Sequence, residues 1–198
     1  QSQVVLEKGY HLSYPFIFEY KGDIYMMPET SASKTIELYK AVSFPGEWQF
    51  VKNMMQGLHA VDATMLYHEN KYWLFVNIKP HPGVSAWDEL NIFFADNPVA
   101  DEWKPHTKNP VMMDVRTARP AGNFFIENGK LFRPSQDCSV AYGYAVNINE
   151  VIVLSQTEYE ERLVKKIEPT WSKETKATHT FSYYKGLLVL DVKEEKQD

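Results

Sequence analysis

The chain has 198 residues, 14% of them aromatic, with 12 Tyr, 11 Phe and 5 Trp and no long stretch rich in Ala, Leu, Glu and Lys. That usage favours pleated sheets on which flat rings pack, and it predicts one all-β domain over 1–198. A net charge of −5 with scattered lysines excludes a general affinity for nucleic acid, no apolar run reaches the ~20 residues needed to span a bilayer, and the single Cys138 excludes an internal disulfide.

Taken in order, Val4 to Leu6 reads as a lone strand. The stretch Ser13 to Glu29, SYPFIFEYKGDIYMMPE, then pairs two apolar runs across the turn Tyr20-Lys21-Gly22-Asp23, the pattern of a β-hairpin. Thr35 to Val42 alternates polar and apolar residues as a half-exposed strand does, and Trp48 to Val51 follows across a Pro-Gly turn. The hairpin returns as Asp62 to Asn77. It is followed by a loop through Pro80 to Gly83, a strand at Leu90 to Ala95, and Trp103 opening a fourth strand. A third hairpin, Arg119 to Gln136, leads to outer strands at Gly143 to Asn147 and Glu150 to Leu154. Thr157 to Lys166 is expected to be a short helix, with Thr157 as N-cap and Glu160 completing a capping box. The last hairpin, His179 to Asp191, precedes a charged tail.

The turn residues Gly22, Asn70, Gly129 and Gly186 recur at intervals of roughly 50 residues, a period that fits one four-stranded propeller blade per repeat. A blade is left incomplete at each end, so the count stands at four blades or a truncated five. The missing initiator Met leaves room for an upstream segment, and the N-terminus lacks the basic and apolar regions of a signal peptide. A lone cysteine fits a reducing compartment and tilts the expected location slightly toward the cytoplasm.

In a propeller the start of each first strand and the end of each second strand ring the channel. Those positions carry Tyr14, Asp62, Arg119 and His179, and then Glu29, Asn77 and Gln136, with Asp137 beside the last. An almost wholly polar ring on an apolar scaffold suits a carbohydrate, because each sugar hydroxyl needs a partner when it leaves water. Arg119 reads equally well as a plain ion-pair partner of Asp62 or Glu29, His179 as a hydrogen-bonded structural histidine, and Cys138 as a packed thiol. Trp87, in the polar loop SAWDE, is the one tryptophan that reads as a sugar-stacking platform. The histidines lack zinc-ligand spacing, the carboxylates are too dispersed in sequence to predict a calcium site while leaving calcium in the channel open, and no cofactor is expected.

The runs HLSYPFIFEYKGDIYMMPE, AVDATMLYHENKYWLF, ARPAGNFFIENGKLFRPSQDCS, YGYAVNINEV and THTFSYYKG resemble the N-terminal propeller domain of glucosamine inositolphosphorylceramide transferases, which is similar in fold to family 43 glycoside hydrolases. The resemblance implies a five-bladed propeller, here short of most of its first blade or closed differently, and a fused or associated transferase domain. It further implies a hydrolase-like triad of a first-blade Asp as base, a pKa-tuning Asp and a later-blade Glu as acid. Asp62 stands at the motif position of the tuning Asp, Glu29 is the best remaining carboxylate, and Tyr14 stands where a first-strand Asp is expected, a departure that counts against hydrolysis. If the chain is a glycosidase, Glu29 is the expected acid and Asp62 the ionised partner held by Arg119, the pair roughly 6.5 to 9.5 Å apart for inversion. Tyr14, Asn77, Arg119, Gln136, Asp137 and His179 are then the expected ligand-binding set. The alternative is the same channel binding carbohydrate, or serving as a scaffold, without turnover.

Overall fold

The computed structural model describes residues 3–79 and 85–195, and among them there is no α-helix. The first four strands, β1 (Ser13–Tyr20), β2 (Asp23–Thr30), β3 (Thr35–Ser43) and β4 (Glu47–Gln56), form an antiparallel sheet in chain order. The second sheet runs β5 (His59–His68), β6 (Lys71–Lys79), β7 (Glu89–Ala95) and β8 (Lys104–Pro105), with β9 (Met112–Met113) also pairing with β7. The third is β10 (Phe125–Glu127), β11 (Lys130–Asp137), β12 (Ala145–Leu154) and β13 (Tyr159–Ile167). Then come β14 (Thr175–Ala177), the hairpin of β15 (Phe181–Tyr184) and β16 (Leu187–Leu190), and β17 (Lys193–Glu194), which pairs back onto β14.

All four expected hairpins are present, and their turns share one backbone geometry. Lys21-Gly22, Glu69-Asn70, Asn128-Gly129 and Lys185-Gly186 each place two consecutive residues at positive φ, between 48° and 83°. This is the two-residue turn whose twist matches that of antiparallel strands, which is why Gly or Asn recurs at its second position.

The apolar residues do not form one central core. They form three seams, one between each sheet and the next, because side chains alternate across every strand. On β6, Leu74 and Val76 face the first sheet and pack with Phe16, Met27 and Leu38, whereas Trp73 and Phe75 face the third and pack with Ala118 and Leu154. The third seam joins Ala121, Val146 and Ile148 to Phe181 of the last hairpin. Its approach is close: a Cβ on Gly122 would lie 1.8 Å from the Phe181 carbonyl oxygen. The second and third sheets, with a seam on each face, are stacked between their neighbours as the blades of a propeller are.

Four sequence expectations need correction. Thr157 to Lys166 is not a helix: Ser155 to Glu158 form a turn, and residues 159–167 pair along β12 as the outer strand of the third blade. Alternation puts Tyr159 and Glu161 on one face, where Glu161 pairs with the buried Arg133 and Tyr159 donates to Glu161, a placement a helix would not allow. The two outer strands expected at 143–147 and 150–154 are the single strand β12. Val4 to Leu6 belongs to no strand, because the N-terminal segment docks by side chains instead: Tyr10 donates to Glu37 at 2.5 Å and Lys8 lies over the rings of Tyr39 and Phe50. The C-terminal tail is not wholly unstructured, since Lys193 and Glu194 form β17. The loop expected through Pro80 to Gly83 lies outside the described residues.

Arg133 is 1% exposed and is held by a two-pronged pair with Glu161 at 2.7 Å on each arm, while its Nη2 also donates to the Thr117 carbonyl at 2.6 Å. One side chain therefore ties β11 to the outer strand and to the segment leading to Arg119. Removing one partner leaves the other charge buried alone, so Glu161→Leu is expected to cost roughly 3–5 kcal/mol, and Arg133→Met/Glu161→Leu to recover most of it. Urea denaturation midpoints of the three proteins check this, and a double variant no more stable than the single one would contradict it.

Candidate functional site

The inner strands of the first two blades carry the same irregularity. Pairing slips between Ser13 and Phe16 on β1 and between Val61 and Thr64 on β5, and inside each slip one residue has positive φ: Tyr14 at 43° and Asp62 at 53°. A bulge of this kind turns a side chain away from the strand's regular alternation. Here it brings Tyr14 and Asp62 together, and the left-handed backbone it requires costs of order 1–3 kcal/mol per residue, held by the surrounding structure. The Tyr14 and Thr64 hydroxyls share a 2.8 Å hydrogen bond, and burial together with the Asp62 charge pushes the Tyr14 phenol well above its ordinary range.

Asp62 is the centre of the cluster. Its Oδ2 accepts Arg119 Nε at 2.5 Å and Gln136 Nε2 at 2.9 Å, and Gln136 also donates to the Pro120 carbonyl at 2.8 Å. All three side chains are buried. Glu29 joins from β2: its carboxyl hydrogen-bonds the Asp62 side chain, and Arg119 Nη2 lies 4.0 Å from its Oε2. Burial, then the Asp62 charge and the shared hydrogen bond, push the Glu29 carboxyl up to about 7 despite the nearby guanidinium. The two carboxyl groups thus gather on one guanidinium, Asp62 at 2.5 Å and Glu29 at 4.0 Å, rather than standing on opposite sides of an open gap. Beside Tyr14 lies a cavity of about 240 Å³, bounded by Pro15, Gly122, Asn123 and Thr180.

The remaining ring positions have other partners. Asp137 accepts the Ser139 amide and hydroxyl at 2.9 and 2.6 Å and pairs with Lys166 at 2.9 Å. Burial alone would raise its carboxyl, but these contacts hold it below the usual range. Asn77 is fully buried, and its Nδ2 donates to the Ala86 carbonyl at 3.3 Å, anchoring the loop that carries Trp87. Among the described residues its Oδ1 has no partner. His179 Nδ1 pairs with Asp191, whose other oxygen accepts the His179 and Thr180 amides at 2.8 and 2.7 Å. Burial opposes ionisation of Asp191, yet the His179 and Thr180 hydrogen bonds bring its carboxyl far below the ordinary value.

The structure therefore brings together Tyr14, Glu29, Asp62, Arg119 and Gln136, and leaves Asp137 outside that cluster. It also adds Tyr142, which the sequence reading passed over: Arg119 Cζ lies 4.9 Å from its ring centre. Its run YGYA was visible as a motif, but nothing local indicates that its ring covers an arginine from another repeat. Among the described residues no group of three or more His, Cys, Asp and Glu side chains is arranged to hold a metal ion.

A family model described as the N-terminal region of glucosamine inositolphosphorylceramide transferase 1 matches residues 1–195. Glucosamine inositolphosphorylceramide transferase 1 of Arabidopsis thaliana is 38% identical over 160 residues, and that of Oryza sativa subsp. japonica 36%; each match covers 80% of this chain and 21% of the relative. The chain thus spans about a fifth of the length of these relatives. Among solved structures, the exo-β-1,3-galactanase of Phanerochaete chrysosporium superposes with a TM-score of 0.62 at 9% identity, covering 93% of this chain and 44% of that one. A family 43 β-xylosidase/α-arabinofuranosidase from a compost metagenome does so at 0.62 and 12%, covering 98% and 77%. These likenesses establish the fold, a β-propeller of the family 43 glycoside hydrolase kind.

Because its carboxyl is raised from 4.5 to about 7, Glu29 contributes stability that is fully present below pH 4.5 and is lost as pH rises to about 7. Denaturant unfolding across this window is expected to show a smaller decline with rising pH for Glu29→Gln than for the wild type. Equal declines in the two proteins would remove Glu29 as a source of the pH dependence.

Proposed function

The chain belongs to the glucosamine inositolphosphorylceramide transferase 1 N-terminal family, and from that premise we propose that its cluster binds a carbohydrate without hydrolysing it, in the service of glycosyl transfer by a larger protein. The observation that carries this reading is that Arg119 holds both carboxyl groups, its Nε 2.5 Å from Asp62 and its Nη2 4.0 Å from Glu29. Glycoside hydrolysis needs its two carboxyl groups on either side of the scissile bond, at least ~5 Å apart. A pair gathered on Arg119 has that guanidinium, not a sugar, between its members. It does offer a sugar fixed partners: a Glu29 carboxyl largely protonated below pH 7 and the Arg119 guanidinium, which the Asp62 pair orients while Gln136 spends both amide hydrogens on Asp62 and the Pro120 carbonyl. Their fixed orientation reduces the ordering cost of binding, which suits recognition of hydroxyl groups.

A second reading is favoured by one observation, the elevation of the Glu29 carboxyl to about 7, which suits a general acid. Here Glu29 protonates a leaving oxygen, Asp62 tunes it, and the base is a carboxylate outside the cluster. The tuning role is the one the family resemblance assigns to the motif position of Asp62.

The two readings separate in one experiment. A panel of oligosaccharides is incubated with the wild type, Glu29→Gln and Asp62→Asn, with intact and cleaved species followed by mass spectrometry. Retention of an intact glycan by the wild type, weakened about tenfold or more by Asp62→Asn and accompanied by no cleavage, is the expected result. Cleavage that Glu29→Gln abolishes would establish the hydrolytic reading instead.

A further inference from the structure

We propose that Trp87, Tyr142 and His179 form a prebuilt aromatic wall against which a pyranose ring stacks while the Asp62 cluster takes its hydroxyls. This inference rests on the carbohydrate reading above and names the part of the ligand that the polar cluster cannot recognise, the apolar face of a ring.

The three rings come from three separate places: the β6–β7 connection, the β11–β12 connection and the residue two before β15. They nevertheless form one contiguous row. Trp87 and Tyr142 have ring centres 5.7 Å apart with planes tilted by 43°, and Tyr142 and His179 5.4 Å apart with planes tilted by 58°, so the wall is angled and a sugar lies parallel to one ring while the others flank it. None of the three belongs to an interblade seam, and Tyr142 is 45% exposed. Tyr142 also covers the Arg119 guanidinium that pairs with Asp62, with Arg119 Nη2 donating to its hydroxyl at 3.5 Å, so the row borders the polar cluster directly.

Each ring is held by contacts of its own. The Trp87 loop hangs on Asn77 through the Ala86 carbonyl, and the Trp87 amide donates to Ser85 Oγ at 2.9 Å. The Tyr142 loop is fixed by the Gly143 amide donating to the buried Cys138 sulfur at 3.4 Å. His179 is oriented by Asp191 and seated on Gly143, where a Cβ would come within 2.5 Å of the His179 Cβ. Glycine at 143 is thus what allows His179 to approach Tyr142. The row is only partly covered by the fold and has its own supports. It has the form of a binding surface, apolar on its face and edged by a few fixed polar groups. Asn77 and Cys138 are positioning residues in this arrangement.

The probes are methyl β-D-galactopyranoside, methyl β-D-glucopyranoside and the acyclic polyol D-sorbitol, which carries comparable hydroxyls without a ring face. Titrations are followed by the indole Nε1–H resonance of Trp87, assigned with Trp87→Phe, and by saturation-transfer difference for variants lacking that signal. The expected result is binding of at least one pyranoside and not of sorbitol. That binding should weaken about tenfold in Tyr142→Ala and stay within about twofold of wild type in Tyr142→Phe, which keeps the ring and loses the hydroxyl. Pyranoside binding that Asp62→Asn removes and Tyr142→Ala leaves intact would overturn the wall and leave the carbohydrate reading standing. Equal binding of sorbitol would also overturn the wall, because hydroxyls alone would then account for recognition. Absence of any saccharide response in the wild type would overturn the wall together with the reading beneath it.

Discussion

The buried pairing of Arg119 with Asp62 joins the second and third blades at their inner ends, and much of the surrounding structure follows from it. Burying a guanidinium and a carboxylate costs several kcal/mol per ion unless geometry and further hydrogen bonds compensate. Here the compensation comes from every side. Gln136 donates to the same Asp62 oxygen, Glu29 hydrogen-bonds the carboxyl, and Tyr142 lies over the guanidinium. The bulge at Asp62 is part of the same arrangement, since its positive φ directs the carboxylate toward Arg119 rather than along the strand. A repeat architecture brings like positions of successive blades together, so polar groups at those positions have one another as partners.

Away from that end, stability resides in the seams between blades. The second and third blades each offer two apolar faces and cannot bury either alone, which couples them to the blades on both sides. The Arg133 and Glu161 pair performs a different task within the third blade, linking an inner strand to the outermost one and to the Thr117 carbonyl. It thereby connects the blade's rim to the segment that ends in Arg119, so the position of the candidate site depends on contacts far from it.

Fold and chemistry separate in this chain. The propeller is shared with family 43 glycoside hydrolases at 9–12% identity, whereas the sequence kinship is to glucosamine inositolphosphorylceramide transferases. One scaffold supports many sites, and function has to be argued from the groups present. Those groups are a carboxyl pair gathered on one arginine and an aromatic row beside them.

The amino-acid order by itself determined what depends on neighbours in the chain. The four hairpins follow from period-2 apolar patterns broken by Lys-Gly, Glu-Asn and Asn-Gly turns, the repeat follows from their spacing, and the polar ring follows from counting outward from each turn. It misjudged residues 157–166, where a capping pattern and basic residues favour a helix on local grounds. Pairing with β12 and the demand of Arg133 for Glu161 outweigh that preference, because strand pairing satisfies a whole row of backbone groups and a buried charge at once. Only the tertiary structure decided that Glu29 touches Asp62, that Asp137 is taken up by Ser139 and Lys166, and that Tyr142 covers Arg119. These contacts join residues from different blades or loops, and each is set by a bulge, a glycine or a seam whose effect appears only when the blades stand side by side.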